Sequence, residues 1–410
     1  MNIIYVQSTP TYFGYAKYHS GTGKASANDL PDMPDNSAFL SIINRDKWMP
    51  AMTTQRGYPS ELWAVGHKAE ETNWQYDILP SLKIRIFESD QTGLNSDEPS
   101  QTGNGKTAGG QTAKSRFPFG LFSGVGKDDD PSKYHTSSAL IEAARNAEAD
   151  LFVLNGLDGG VGVHLARELL IPNRIPFAVI LKGELYHPIL KHAISVLYEN
   201  GHQRQQLTQR SIRFWRPVTE EEKLIRLSKS VDTRHYVPDE KIPKEVDLIC
   251  IGRPLDDPSD FSAIFELSRH LKVAVIGDGP LLEGFRQKYP EITWYGDVPY
   301  ADIPSVLNSG KLFFYSRVKE SSPTSIAEAA ACGVPPVGFI GAIPEDLISE
   351  AFGLRVSRKK YLEEIRDLLG QPDYLKRLSK AAREHAETHW HHRSSQHAIR
   401  KLILQIRAVR

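Results

Sequence analysis

Short apolar runs alternating with helical patterns, twice over, restrict what this chain of 410 residues can fold into more than any other feature. In the second half the runs are Leu248–Ile251, Val273–Ile276, Ile292–Tyr295, Leu312–Tyr315 and Val337–Ile340, with helical patterns at Phe261–His270, Pro280–Lys288 and Ile303–Leu307. In the first half Asn2–Gln7, Leu62–Val65, Leu82–Phe87, Asp150–Asn155 and Phe177–Leu181 read as strands, and Ile212–Val218 as the last strand of that half. Helical patterns cover Thr136–Ala147 and run from the Leu157–Gly162 turn to about Leu170. Apolar runs without polar alternation are the signature of strands buried on both faces, and their alternation with helices predicts parallel doubly wound sheets. A chain of this length exceeds one compact core, so the α/β pattern is expected in two domains. Ligands of such sheets sit at the carboxyl ends of strands, which nominates Asn155, Lys182 and Glu184.

The stretch Lys311–Ile340 holds the densest chemistry. It reads as a strand, a polar loop at Lys319–Thr324, a helix over about Ser325–Cys332, and a Gly-Val-Pro-Pro stop. A helix N-terminus entered from a polar loop favours phosphate oxygens, through its unpaired N–H groups and the positive end of its dipole. Glu320 precedes that turn and Glu328 lies inside the helix, so a diphosphate on the amides would have a carboxylate on either side to accept sugar hydroxyls. Taken alone, two glutamates at this spacing describe an ordinary solvated strand-turn-helix unit.

Their surroundings argue otherwise. Glu320–Gly333, ESSPTSIAEAAACG, resembles the E-x7-E signature of nucleotide-sugar-dependent glycosyltransferases of the two-Rossmann-domain (GT-B) type, nearest to the retaining family 4. Ile251-Gly252-Arg253, VIGDGPL at Val275–Leu281, WYGDVPYADIPSVL at Trp294–Leu307, and Val231-Asp232-Thr233 with Tyr236 and Pro238 follow that family's order. The resemblance implies two Rossmann-like domains facing a cleft. Residues 1–240 would form the acceptor side and 241–385 the nucleotide-sugar side, and a helix over 386–410 would cross back onto the first domain with Trp390 as its anchor.

It also implies roles. Glu328 would take the ribose hydroxyls, Glu320 those of the donor sugar, and the amides and hydroxyls of Ser322, Thr324 and Ser325 the diphosphate. Arg253, after Gly252, would neutralise phosphate charge, and Gly277 and Gly279 would let the backbone approach the base. The family's usual lysine after the arginine is missing, with Pro258 near its place; Lys319 and Arg317 are the nearest substitutes in sequence. Its usual donor-sugar histidine is missing near Lys182, and His187 lies close by. The implied reaction is retaining transfer from a nucleotide sugar to a carbohydrate, lipid-linked or small-molecule acceptor, with no metal and no further cofactor. Two other readings remain: a hydrolysing nucleotide-sugar epimerase, whose acid and base would fall to His164, His187 or Glu184, and a nucleotide-sugar-binding protein without catalysis.

Composition narrows the partners. Lys plus Arg and Asp plus Glu number 50 each, so no global field draws the chain to nucleic acid. Only Cys250 and Cys332 occur, both in apolar surroundings, which predicts packed thiols and a cytosolic setting. The N-terminus has no secretory pattern, and no apolar stretch reaches the roughly twenty residues of a membrane helix. The basic end, Arg400–Arg410, fits a solvated amphipathic helix and also admits peripheral membrane contact. Two phosphate-loop patterns fail: SGTGKAS has Tyr18, and Gly105-Lys106-Thr107 has Ser100, where the first glycine belongs. Gln91–Gln111 is polar and Gly-rich and predicts a loop. The histidines around Trp390 (His385, His389, His391, His392 and His397) lack the partners of a zinc site. Oligomeric state leaves no mark in the sequence.

Overall fold

The computed structural model describes residues 1–7, 47–66, 69–76, 79–90, 136–157, 160–182, 187–208, 218–252, 261–279, 281–317 and 323–409. The two phosphate-loop patterns, the 91–111 loop and nearly all of the expected strand at 212–218 lie outside these residues.

The first sheet contains β1 (Ile3–Gln7), β2 (Ser60–Gly66), β3 (Glu70–Tyr76), β4 (Leu79–Glu88), β5 (Leu151–Asn155), β6 (Phe177–Ile180), β7 (Ser195–Tyr198) and β8 (Leu224–Arg226). Their order is β3-β4-β2-β1-β5-β6-β7-β8, with every pairing parallel except β3 with β4. In β1 all five residues are buried, because successive side chains feed opposite cores. Ile3 and Tyr5 join Trp48, Met52 and Leu62 on one face, whereas Ile4 and Val6 join Trp63, Phe152 and Leu154 on the other.

The second sheet contains β9 (Val246–Ile251), β10 (Val273–Ile276), β11 (Thr293–Gly296), β12 (Gly310–Tyr315), β13 (Pro336–Phe339) and β14 (Leu354–Val356). It is parallel throughout, in the order β11-β10-β9-β12-β13-β14. In each sheet the chain fills one side of a central strand and then the other, with β3 of the first sheet outermost although it precedes β4. The reversals fall between β1 and β5 and between β9 and β12, the positions where sheets of this kind take ligands at the carboxyl ends of their strands.

Two segments cross between the sheets side by side. Val231 N–H donates to Trp390 O at 2.8 Å, and Val231 pairs with His391. The helices that matter for the crossing and the site are α1 (Trp48–Gln55), α2 (Thr324–Ala331), α3 (Pro372–His389) and α4 (Gln396–Val409). From α3, Arg383 donates to Tyr236 O (2.6 Å), Ala331 O (2.6 Å) and Thr233 O (2.9 Å), locking the outgoing segment to the end of α2. After the crossing, α4 buries Ala398, Ile399, Leu402, Ile403 and Ile406 in the core under β1, β2 and α1. Each large side chain so buried contributes roughly 1.5–3 kcal/mol.

The expectation that Trp390 anchors the returning helix on the first domain is corrected. Trp390 is 4% exposed and sits in the second core, with Phe352 at 5.5 Å and His385 at 4.5 Å between ring centroids. It ends α3, and the apolar stripe of α4 does the anchoring. The sequence reading also lacks β3, β7, β8 and β14. β3 is a polar antiparallel edge, EETNWQY, and the other three are only three or four residues long.

Candidate functional site

The carboxyl ends of β1, β5, β6 and β7 open towards the N-terminus of α2 across a cavity of ≈ 260 Å³. Tyr5, Trp48, Met49, Ile180 and Leu227 give it an apolar wall. Asn155, Lys182, Glu199, Ser228, Lys229 and Ser230 supply polar groups from the strand ends and the outgoing crossing. Pro323 and Thr324 close it from the second domain.

The strand ends are held in register by their own side chains. Asn155 Nδ2 donates to Gln7 Oε1 at 2.8 Å, joining the ends of β5 and β1 at the sheet's reversal point. Gly156 N–H donates to Ile180 O at 2.9 Å, and the stem of Lys182 runs past Gly156 towards the cavity. Leu227 N–H donates to Tyr198 O at 2.8 Å, which carries the chain beyond β8 across the end of β7. There Lys229 Nζ lies 2.7 Å from Glu199 Oε2, and both side chains are largely buried.

On the opposite side α2 starts at Thr324 after an extended Pro323, which makes no side-chain cap, and no side chain among the described residues caps its first turn. Its first N–H groups therefore keep the anion preference of a helix N-terminus. Thr324 and Glu328, four apart, share one face of α2. Glu328 is 5% exposed, a buried carboxylate one turn into the helix. Gly252, at the end of β9, is closely packed: a Cβ there would stand 3.1 Å from Phe261 Cζ, so the ring would have to give by a few tenths of an ångström. Gly277, at the end of β10, has φ +139, a backbone conformation open to glycine.

Lys47 and Tyr300 bring the two domains together beside the cavity. Lys47 Nζ lies 5.0 Å from the Trp48 ring and 5.8 Å from the Tyr300 ring, and His235 stacks on Tyr300 at 4.5 Å. Burial lowers the Lys47 ammonium to about 8 against the opposing pull of Asp232. Below the crossing, His392 is buried between Trp48 (5.1 Å) and His391 (3.8 Å), and neither of its ring nitrogens has a hydrogen-bond partner among the described residues. Burial lowers its pKa to about 4, with the neighbouring His391 acting in the same direction.

Of the residues nominated from sequence, the cavity brings together Asn155, Lys182 and Thr324. Gly252, Gly277, Gly279, Ser325 and Glu328 lie in the second domain and are not among its lining residues. Arg253, Lys319, Glu320, Ser322 and Glu184 lie outside the described residues. His187, close to Lys182 in sequence, is not placed at the cavity. Its Nδ1 accepts from Ile189 N–H at 3.2 Å, its Nε2 is 3.4 Å from Arg167, and it does not line the cavity. His164 faces a different groove, with Glu142 and Glu168. The sequence reading missed Glu199 and Lys229. The available signals were a polar residue just after the run SVLY, and a lysine two residues before Val231. Cys250 and Cys332 are buried free thiols, as their surroundings predicted.

Residues 263–385 match the family described as Glycosyl transferases group 1. Over 91 residues the chain is 34% identical to a component of the phosphatidylinositol N-acetylglucosaminyltransferase of Arabidopsis thaliana, and this match spans 20% of the chain and 20% of that protein. Among solved structures, sucrose-phosphate synthase from Thermosynechococcus elongatus superposes with a TM-score of 0.67 at 12% identity, over 100% of both chains. Anabaena HepE in complex with UDP gives a TM-score of 0.56 at 11% identity, again over 100% of both chains. A glycosyltransferase from Rickettsia africae gives 0.57 at 12% identity, over 100% of this chain and 98% of that one. At these identities the structural matches establish the fold, which is GT-B.

Proposed function

We infer, for a chain that carries the glycosyl transferases group 1 domain over residues 263–385 on a GT-B frame, a nucleotide-sugar-dependent glycosyltransferase acting on an acceptor hydroxyl. The observation that carries the reading is how one helix of the matched segment faces the other domain. A helix start with no capping side chain among the described residues, and a buried carboxylate one turn further in, faces a polar set of strand ends across a cavity between two sheets.

Each part suits one requirement of the reaction. The first turn of α2, with Thr324, Ser325 and Ser322, takes the diphosphate through amides and hydroxyls, and Arg253, the residue after Gly252 in sequence, adds a guanidinium. Glu328 accepts the ribose hydroxyls, and Glu320 those of the donor sugar. Gly252 keeps the end of β9 close to Phe261, while Gly277 and Gly279 shape the turn near the base. Lys182 and Asn155 present polar atoms where the donor sugar and the acceptor meet, opposite a wall of Trp48 and Met49 suited to the apolar face of a sugar ring. Peptide amides and fixed cations stabilise the leaving diphosphate as it departs, which makes the reaction metal-independent, and the outcome is retention at the anomeric carbon. HepE of Anabaena was solved with UDP and with UDP-glucose, which supports a uridine diphosphate donor here. The hydrolysing epimerase alternative draws no support from His164 or His187, since neither lines the cavity.

A thermal-shift panel of nucleoside diphosphates and their sugars tests the reading, since a ligand that binds only the folded protein raises the melting temperature by mass action. UDP and one UDP-sugar are expected to raise it, and Glu328→Ala to abolish the rise. A rise unaffected by Glu328→Ala would remove that residue from the site.

A further inference from the structure

The pattern of Arg253 followed by a second cation is broken in this sequence by Pro258, so a diphosphate held at α2 lacks one of its expected counter-charges. Of the substitutes nearest in sequence, Arg317 is exposed beyond the end of β12 and does not line the cavity, and Lys319 lies outside the described residues. The cavity contains a different source. Its charged lining residues, among those described, are Lys182, Lys229 and Glu199; two cations less one anion leave one net positive charge.

Lys229 and Glu199 form an ion pair of 2.7 Å with side chains only 7% and 12% exposed. Moving two charges out of water costs about as much as their attraction returns, so such a pair adds little stability over apolar side chains of the same size. Stability therefore does not account for its presence. The geometry is also fixed from several sides: Leu227 is bonded to Tyr198, and Glu199 N–H donates to Gln203 Oε1 at 2.7 Å. Glu199 offsets its charge at a distance, so what the ammonium offers a ligand is a fixed, directed N–H donor with little solvent screening, on a site that Thr324 of α2 also lines.

We propose that Lys229, oriented by Glu199, is the cation that meets the outer phosphate of a nucleoside diphosphate in this cavity, in place of the lysine missing after Arg253. The assignment rests on the nucleotide-sugar reading above. Lys229 belongs to the crossing segment and not to the nucleotide-binding sheet, so diphosphate binding draws the two domains together. Glu199 is a positioning residue: it aims the ammonium and does not itself touch the phosphate.

Calorimetric titration of UDP and UMP into the full-length protein tests this. Lys229→Met is expected to weaken UDP binding by roughly 10- to 100-fold, the range for a charge-assisted hydrogen bond, and to leave UMP binding within about twofold. Lys229→Arg is expected to restore most of the UDP affinity. Because Lys229→Met leaves Glu199 buried without its partner, the double variant Lys229→Met/Glu199→Gln serves as the folded control and is expected to show the same selective loss. Equal losses for UDP and UMP, or a double variant that binds UDP as the wild type does, would overturn the assignment while leaving the nucleotide-sugar reading intact. A wild-type protein that binds no nucleoside diphosphate would overturn both.

Discussion

His392→Phe isolates one electrostatic cost built into the domain crossing. The imidazole lies buried against Trp48 and His391, its pKa lowered from 6.5 to about 4 chiefly by burial, and both ring nitrogens lack partners among the described residues. A folded-state pKa below the unfolded value means that the unfolded chain binds the extra proton. Stability is therefore complete above about pH 6.5 and is lost as the pH falls through that value towards about 4. Between pH 8 and pH 5 the linkage relation gives a loss of about 2 kcal/mol from this single ring. Phenylalanine cannot titrate, so the variant should lose about 2 kcal/mol less than the wild type over the same interval. His385 is lowered to about 4 as well, mainly by burial, but it titrates in both proteins and cancels in the comparison. Any packing change from the larger ring cancels too, because the quantity is a difference between two pH values for each protein. Urea unfolding at pH 8 and pH 5, followed by tryptophan fluorescence, measures it. Equal pH dependence in the two proteins would refute the claim that His392 is buried uncharged.

Two further substitutions probe the frame that positions the site. Leu402→Ala removes a fully buried side chain from the stripe that seats α4 on the first core; the expected loss is about 2–5 kcal/mol, read as a lower urea midpoint with an unchanged far-ultraviolet signal in native buffer. Gly310→Ala would place a Cβ 2.3 Å from Ile249 Cγ1, between β12 and β9 at the centre of the second sheet, and overpacking there is expected to cost at least about 1–3 kcal/mol, read as a lower melting temperature.

The parts of the molecule that were legible in advance were those whose physics is local. The central strands of both sheets are uninterrupted apolar runs, and a strand buried on two faces has little else to look like; β1, β5, β9 and β12 were read to within a residue or two at either end. The start of α2 was legible because a polar loop before an alanine-rich run is a helix-start pattern whatever surrounds it. The edges were not. β3 is polar because one side of it has no neighbouring strand, and β8, at three residues, is too short to show periodicity. Trp390 was misplaced because an aromatic residue between two helices packs equally well on either neighbour, and only the path of the crossing puts it against Phe352. Lys229 and Glu199 are thirty residues apart and meet only because β8 lies beside β7, a pairing with no signature in either segment alone.

The central claim is sugar transfer from a nucleotide diphosphate, and its most direct test is UDP released from a panel of UDP-sugars, with and without simple glycoside acceptors. The wild type should release UDP from at least one donor, faster when an acceptor is present, and Glu328→Gln should release it far more slowly while melting at a similar temperature. A folded wild-type protein that releases UDP from none of the donors, and whose melting temperature none of them moves, would contradict the account.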